Sequence, residues 1–253
     1  MYTKVTRQEW YNNSMHQDFP ALTPKIVLGV VAHPDDLDVG AGGSIAQFAR
    51  DGAEVHYLIL TDGGKGSEDL TLSSQQLMAI RKQEQRDALR ILGGKSVTFL
   101  DHPDGELEVS LKLKKDIVKA IRIIKPDVII TLDPTIVYSA KNGIINHPDH
   151  RAAGQATLDA VFPLARDHLT FPELFAAGHL PHKTATLLLI NFDAGNFSVD
   201  ISDTFDLKLQ ALKAHPSQFG NLDESTWVHD MAKRQGDAAG YELAETFVRI
   251  DIN

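Results

Sequence analysis

Residues 25–43 read KIVLGVVAHPDDLDVGAGG, and the fold is decided there. Lys25 to Ala32 is an unbroken apolar run rich in β-branched residues, the pattern of a strand buried on both faces, as in parallel sheets. His33-Pro34-Asp35-Asp36 follows at its carboxyl end. Pro34 holds His33 in extended geometry and fixes its own φ, so the tetrapeptide is a stiff turn and a poor helix interior. Gly40, Gly42 and Gly43 then predict a tight turn and close packing of the next helix, which continues over Ser44 to Asp51.

Working outward, similar runs recur at Glu54 to Thr61 (EVHYLILT), Ser96 to Leu100, Asp127 to Leu132 and Thr184 to Phe192. Helical patterns lie between them: Ser73 to Leu92, stopped by Gly93-Gly94; Leu111 to Lys125, halted by Pro126; and His150 to Ala165. This alternation predicts an α/β fold, a Rossmann-like, mostly parallel sheet with helices on both faces. Such sheets bind ligands at the carboxyl ends of their strands. Past Phe192 the pattern changes to an edge strand at Ser198 to Ile201, a helix at Asp203 to Ala214 and an irregular polar stretch from Gly220 to Gly240. Residues 166–183 read as a long loop, a candidate rim for a binding site. The domain plan is an N-terminal arm at 1–24 and a single domain at 25–253 with a C-terminal extension.

Of 253 residues, 43% are apolar, which suits one large domain better than two small cores. The formal charge of −9 has the wrong sign for tracking phosphate backbones, so nucleic acid is not an expected partner. Cysteine is absent, so any metal must sit on His, Asp or Glu. Met1 to Phe19 lacks the apolar core of a signal peptide, and no stretch approaches the ~20 apolar residues of a membrane span. A cytoplasmic protein with no membrane span is the expectation.

His33-Pro34-Asp35-Asp36 packs one imidazole and two carboxylates into four residues. Hydrolytic zinc takes three such ligands and leaves a position open for a water, which it acidifies to a pKa of about 7. Alone, the tetrapeptide fits equally well as a helix cap with His33 a spectator. His147-Pro148-Asp149-His150 repeats the theme after another strand, and loops after neighbouring parallel strands share one edge, so both clusters can converge on one ion. Asp149 then has a natural role in orienting a histidine through its other ring nitrogen.

At these residues the chain resembles the PIG-L or LmbE-like zinc deacetylases, which act on N-acetylglucosamine-containing lipids, thiol precursors and chitooligosaccharides. The resemblance runs from Lys25 to Phe219 through Ala32 to Asp36, Gly40, Gly42 and Gly43, Thr61-Asp62-Gly63, Arg81 with Glu84, His147 to Arg151, and Ala214 to Gln218. In appearance it is nearest the diacetylchitobiose or chitooligosaccharide deacetylase-like branch. It implies Zn2+ held by His33, Asp36 and His150, Asp35 as general base, and His147, paired with Asp149, steadying the oxyanion or protonating the leaving amine. Arg81 would contact the substrate, an N-acetylated amino sugar or glycoconjugate. Relatives of this kind commonly assemble as trimers or hexamers.

Several signals stay open between two readings. His102-Pro103-Asp104-Gly105 is a turn after the third strand, with Asp104 a candidate substrate contact. His215 is a helix cap or a pocket residue. From its pattern alone, Arg81 lies on a solvated helix face. His168, His179 and His182 read as surface residues, and Trp227 as packing or rim. The glycines after the first strand do not match G-x-G-x-x-G, and Asp36 and Asp38 stand where a pyrophosphate would sit. The alternatives to an amino-sugar deacetylase are an amidase for a thiol conjugate or natural product, and a non-catalytic metal- or nucleotide-binding module.

Overall fold

The computed structural model describes residues 19–140, 143–192, 194–220 and 227–252. Strands β1 (Ile26–Val31), β2 (Glu54–Thr61), β3 (Ser96–His102) and β4 (Val128–Leu132) alternate with helices α1 (Asp36–Arg50), α2 (Ser74–Ile91) and α3 (Leu111–Ile124). A short hairpin, β5 (Tyr138–Ser139) and β6 (Ile144–Ile145), leads into α4 (Pro148–Asp159) and a π-helical segment at Ala160–Leu164. Next come α5 (Pro172–Ala176), β7 (Thr186–Ile190), β8 (Phe197–Asp200), α6 (Phe205–Lys213), α7 (Pro216–Phe219), α8 (Trp227–Ala239) and β9 (Ala244–Asp251).

Seven strands form one sheet in the order β3-β2-β1-β4-β7-β9-β8. The first five are parallel, and β9 runs antiparallel to both of its neighbours. Strand order reverses between β1 and β4, because β3 feeds a crossover through α3 that returns past β1. Right-handed crossovers then put α1 and α2 on one face and α3 on the other. In agreement, α1 and α2 each pack against α6, whereas α3 packs against α4. The crevice at this reversal, at the carboxyl ends of β1 and β4, is where open α/β sheets take ligands.

Local chemistry explains the helix boundaries. Ser73 caps α2 in a capping box with Gln76, and the Ser110 hydroxyl accepts the Leu113 N–H to start α3. α3 buries Leu113, Ile117, Val118 and Ile121 along one stripe.

Four expectations are corrected. The first helix begins at Asp36, so Gly40, Gly42 and Gly43 lie inside it and make no turn. A Cβ on Gly40 would stand 2.6 Å from the Ile190 side chain, and one on Gly43 2.8 Å from that of Ile201, so these glycines serve the close approach of α1 to its neighbours. The stretch expected to be irregular at Gly220–Gly240 carries α8, although residues 221–226 lie outside the described ones. The C-terminal extension completes the main sheet, since β9 separates β7 from the edge strand β8. The loop at 166–183 is no rim of the metal clusters. Arg122 binds the carbonyls of Leu164, Ala165, Asp167 and Thr170, and His182 Nε2 meets the Pro126 carbonyl at 2.8 Å, which ties the loop to the amino end of β4.

Of the arm expected at 1–24, residues 1–18 lie outside the described residues. Arg249 donates to the Pro20 carbonyl at 2.7 Å, and the Phe19 ring meets Phe197 edge-on.

A fully buried ion pair fastens α1 to the C-terminal strands. Lys208 Nζ donates to the Val39 carbonyl at 2.7 Å and to Glu245, whose carboxylate accepts the N–H groups of Gly43 and Ser44 at 3.0 and 2.7 Å. Removing one member of such a pair leaves the other charged and buried, a loss of about 3–5 kcal/mol. Lys208→Met should therefore destabilise the fold by about 3 kcal/mol or more, measured as a drop in urea midpoint against wild type.

Candidate metal centre and active site

The first cluster sits on a braced turn. Thr61 ties β2 to the Ala32 carbonyl through its N–H at 2.9 Å and its hydroxyl at 2.8 Å, and the His33 N–H donates to Asp36 Oδ2 at 2.8 Å. Asp35, the residue before α1, takes φ 101°, in the left-handed region that non-glycine residues seldom enter. The second cluster opens α4. His147 occupies the N-cap, Pro148 the first helical position, and Asp149 the electropositive first turn.

The two clusters meet. His33 Nδ1 lies 3.3 Å from His150 Nε2 and 3.6 Å from Asp36 Oδ2, and His150 Nε2 lies 3.1 Å from Asp36 Oδ1. Tetrahedral coordination with Zn–N and Zn–O bonds near 2.0–2.1 Å spaces neighbouring donors by ~3.3 Å. Each pair of the three expected ligands thus has donor atoms close to that separation, His33 meeting one Asp36 oxygen and His150 the other.

Each imidazole is also turned the right way. His33 Nε2 faces Asp104 Oδ1 at 3.2 Å and Asp149 Oδ2 at 3.3 Å, and His150 Nδ1 faces Asn146 Oδ1 at 3.2 Å. In the neutral rings that a metal requires, acceptors on the outer nitrogens hold the protons there and leave Nδ1 of His33 and Nε2 of His150 as lone pairs aimed inward, the usual support of ligating histidines. Two groupings hold one donor atom from each residue within 4.8 Å of one another, His33 with His147 and His150, and His33 with Asp104 and Asp149, and Asp36 belongs to neither. The second of these lies behind the imidazole. There Asp149 accepts the N–H groups of Gly105 and Leu107 at 2.7 and 3.2 Å, and Asp104 accepts that of Lys65 at 3.1 Å, so both carboxylates are engaged in orienting His33.

The electrostatics describe a site that draws positive charge. Burial lowers the basicity of His33, but Asp36, Asp104 and Asp149 outweigh it, and the imidazole is pushed up to about 12. Burial likewise acts to lower the His150 pKa, but the Asp36 carboxylate outweighs it and shifts the imidazole upward. Burial acts to raise the Asp36 carboxyl, yet the neighbouring His150 and His33 charges hold it well below the usual carboxylate range. Asp35 differs: burial drives it up to about 7, with Arg81 opposing.

Asp149 was expected to pair with His147, and here the structure corrects the pairing. Its carboxylate serves His33, and only its backbone N–H reaches His147, donating to Nδ1 at 3.2 Å. That bond fixes a useful tautomer. With Nδ1 accepting, neutral His147 carries its proton on Nε2 and can donate it. The His147 ring stands edge-on to His33 with centroids 4.7 Å apart, and burial, then the charges of His33 and His150, lower its pKa.

The three residues expected to contact substrate, Arg81, Asp104 and His215, are all buried. Asp104 is buried behind His33. Arg81, 4% exposed, donates to the carbonyls of Pro34, Gly63 and Lys65 at 2.8, 3.2 and 3.3 Å and to Asp35 Oδ2 at 3.3 Å. His215 is fully buried, with Nε2 2.8 Å from Asp38 Oδ2. Glu84 reaches Ser217, accepting its N–H at 2.9 Å, so the motifs around residues 84 and 215 brace each other. Sequence reasoning passed over Gln85, Asp38 and Asn146. The one available signal was spacing, since Gln85 follows Arg81 by one helical turn.

The family model described as PIG-L, GlcNAc-PI de-N-acetylase, matches residues 28–161, a span that holds both donor clusters. The chain belongs to the PIG-L family. Relatives of this PIG-L protein include the diacetylchitobiose deacetylase of Thermococcus kodakarensis, 34% identical, with 87% of this chain and 81% of the relative covered. Another is a probable N-acetyl-alpha-D-glucosaminyl L-malate deacetylase 2 of Bacillus cereus, 33% identical, with 79% and 86% covered. Among solved structures, the N,N'-diacetylchitobiose deacetylase of Pyrococcus horikoshii, complexed with its inhibitor, superposes with a TM-score of 0.84 at 30% identity, covering 99% of this chain and 95% of that one. No helix of this PIG-L chain, among the described residues, is long and apolar enough to cross a membrane.

Proposed function

We propose that the protein is a zinc-dependent N-deacetylase that releases acetate from an N-acetylglucosamine-containing substrate. The observation that carries this reading is the convergence of His33 Nδ1, Asp36 and His150 Nε2, with the high-pKa carboxyl of Asp35 beside them and the His147 ring centroid 5.3 Å from that of His150. His33, Asp36 and His150 would hold the zinc, which when bound would supply a Lewis acid for the acetyl carbonyl and acidify water. The side chains divide the remaining work. Asp35, with a carboxyl near 7, accepts the proton of the attacking water, an affinity matched to a general base at neutral pH. His147 Nε2–H donates to the oxygen that becomes negative as the carbonyl turns tetrahedral, and its proton then goes to the departing amine. One such oxyanion donor is worth about 3–4 kcal/mol. Asp149 and Asp104 hold the His33 ring, and Asn146 that of His150. The amino-sugar substrate is supported by the activities named for the relatives at 33–34% identity.

The test is acetate release by the zinc-loaded protein from diacetylchitobiose, N-acetylglucosamine and N-acetylglucosaminyl malate. Acetate should appear from at least one, disappear with a chelator and return with added zinc. Absence of acetate from all of them would remove the amino-sugar reading.

A further inference from the structure

Helix α2 carries two side chains that grip a single peptide group. Arg81 Nη2 donates to the Pro34 carbonyl at 2.8 Å, and Gln85 Oε1 accepts the Asp35 N–H at 2.9 Å. Both polar ends belong to the Pro34–Asp35 peptide, and the two residues are four apart, on one face of the helix. That peptide leads directly into the φ of 101° at Asp35, a conformation that persists only where its surroundings enforce it.

The grip is itself anchored. Gln85 Nε2 donates to Asp38 Oδ2 at 2.7 Å, so turning the amide over would set a donor against the Asp35 N–H and an acceptor against the carboxylate. Tyr57 and His215 hold Asp38 in turn, at 3.1 and 2.8 Å, and the Gly63 and Lys65 carbonyls hold Arg81. Gln85, Asp38 and His215 are fully buried. Nothing in the ligand set requires these residues. What they share is the orientation of Asp35.

We infer that Arg81 and Gln85 form a clamp on the Pro34–Asp35 peptide that sets the position of the Asp35 carboxyl, making them positioning residues for hydrolysis. Their kinetic role rests on the deacetylase reading above; the clamp itself does not. Misplacing a reacting group by about 1 Å can cost on the order of 100-fold in rate. Gln85→Met, close in shape but without the amide, should lower kcat about 100-fold while KM and bound zinc stay within about twofold of wild type. Gln85→Glu keeps an acceptor for the Asp35 N–H and sets a second carboxylate against Asp38. The clamp predicts that it recovers about tenfold or more of the kcat lost in the Met variant, whereas a role only in stabilising the buried network predicts that it is the worse of the two. In a crystal structure of Gln85→Met, Asp35 should leave the positive-φ region. Should the Met variant fail to fold, Gln85→Glu alone decides, a kcat within about tenfold of wild type supporting the clamp and a larger loss overturning it. An unchanged Asp35 φ with unchanged kcat, or a loss confined to KM or zinc, overturns it too. If wild type releases no acetate, the deacetylase reading fails and the φ of Asp35 still tests the clamp.

Discussion

Asp35→Asn should lower kcat by about 10²–10⁴-fold, the usual share of a positioned general base, and leave one equivalent of metal bound. The substitution separates chemistry from architecture unusually well. Asparagine is among the few residues that tolerate positive φ, so the backbone at φ 101° loses no support. Its side-chain oxygen can still accept from Arg81, which now lies 3.3 Å from Asp35 Oδ2. Burial drives the Asp35 carboxyl up to about 7, which means its charged form is poorly solvated there, so a neutral amide should keep the melting temperature or raise it. Steady-state kinetics, metal analysis and a thermal melt on one preparation check all three expectations. A variant that keeps most of its kcat would remove Asp35 from the proton transfer.

The second large effect separates two histidines that sit three residues apart. His150→Ala deletes one corner of the donor triangle and should strip the metal, with activity falling to the level of chelated wild type. Its partner Asn146 touches only the outer nitrogen, at 3.2 Å, so Asn146→Ala should weaken metal binding by the 10–100-fold typical of such supports. His147→Ala should retain the metal and lose about 10²–10³-fold in kcat, since its Nδ1 is occupied by the Asp149 N–H and its contribution is the Nε2 proton. Competition with a chromogenic chelator gives the metal affinities. Loss of metal in the His147 variant and retention in the His150 variant would invert the assignment.

The parts of this arrangement that could be read in the sequence are those written in short contiguous strings. Four of the five parallel strands announced themselves because strands covered on both faces are largely apolar, as in Lys25 to Ala32, whereas β3 is a half-exposed edge strand. The donors were legible for a related reason: a rigid turn at a strand end must place its ligands within a few residues, as His33 to Asp36 and His147 to His150 do. What escaped was long-range. Gly40, Gly42 and Gly43 oppose helix formation locally, and only contact with Ile190 and Ile201 makes a helix there intelligible. β9 carries Glu245 and Arg249, polar residues that the sheet tolerates because Lys208, Asp251 and backbone groups meet them. Gln85 sits among charged residues on α2 and resembles its solvated face, yet it is fully buried. The partner of Asp149 was misassigned because proximity in sequence favoured His147, whereas the fold brings His33 to it from 116 residues away.

X-ray data collected on either side of the zinc absorption edge, on crystals of the purified protein, test the central claim most directly. One anomalous peak is expected, ~2.0–2.2 Å from His33 Nδ1, an Asp36 oxygen and His150 Nε2, with Asp35 and His147 beside it and outside bonding distance. A peak among His33 Nε2, Asp104 and Asp149, or none in a zinc-loaded crystal, would contradict it.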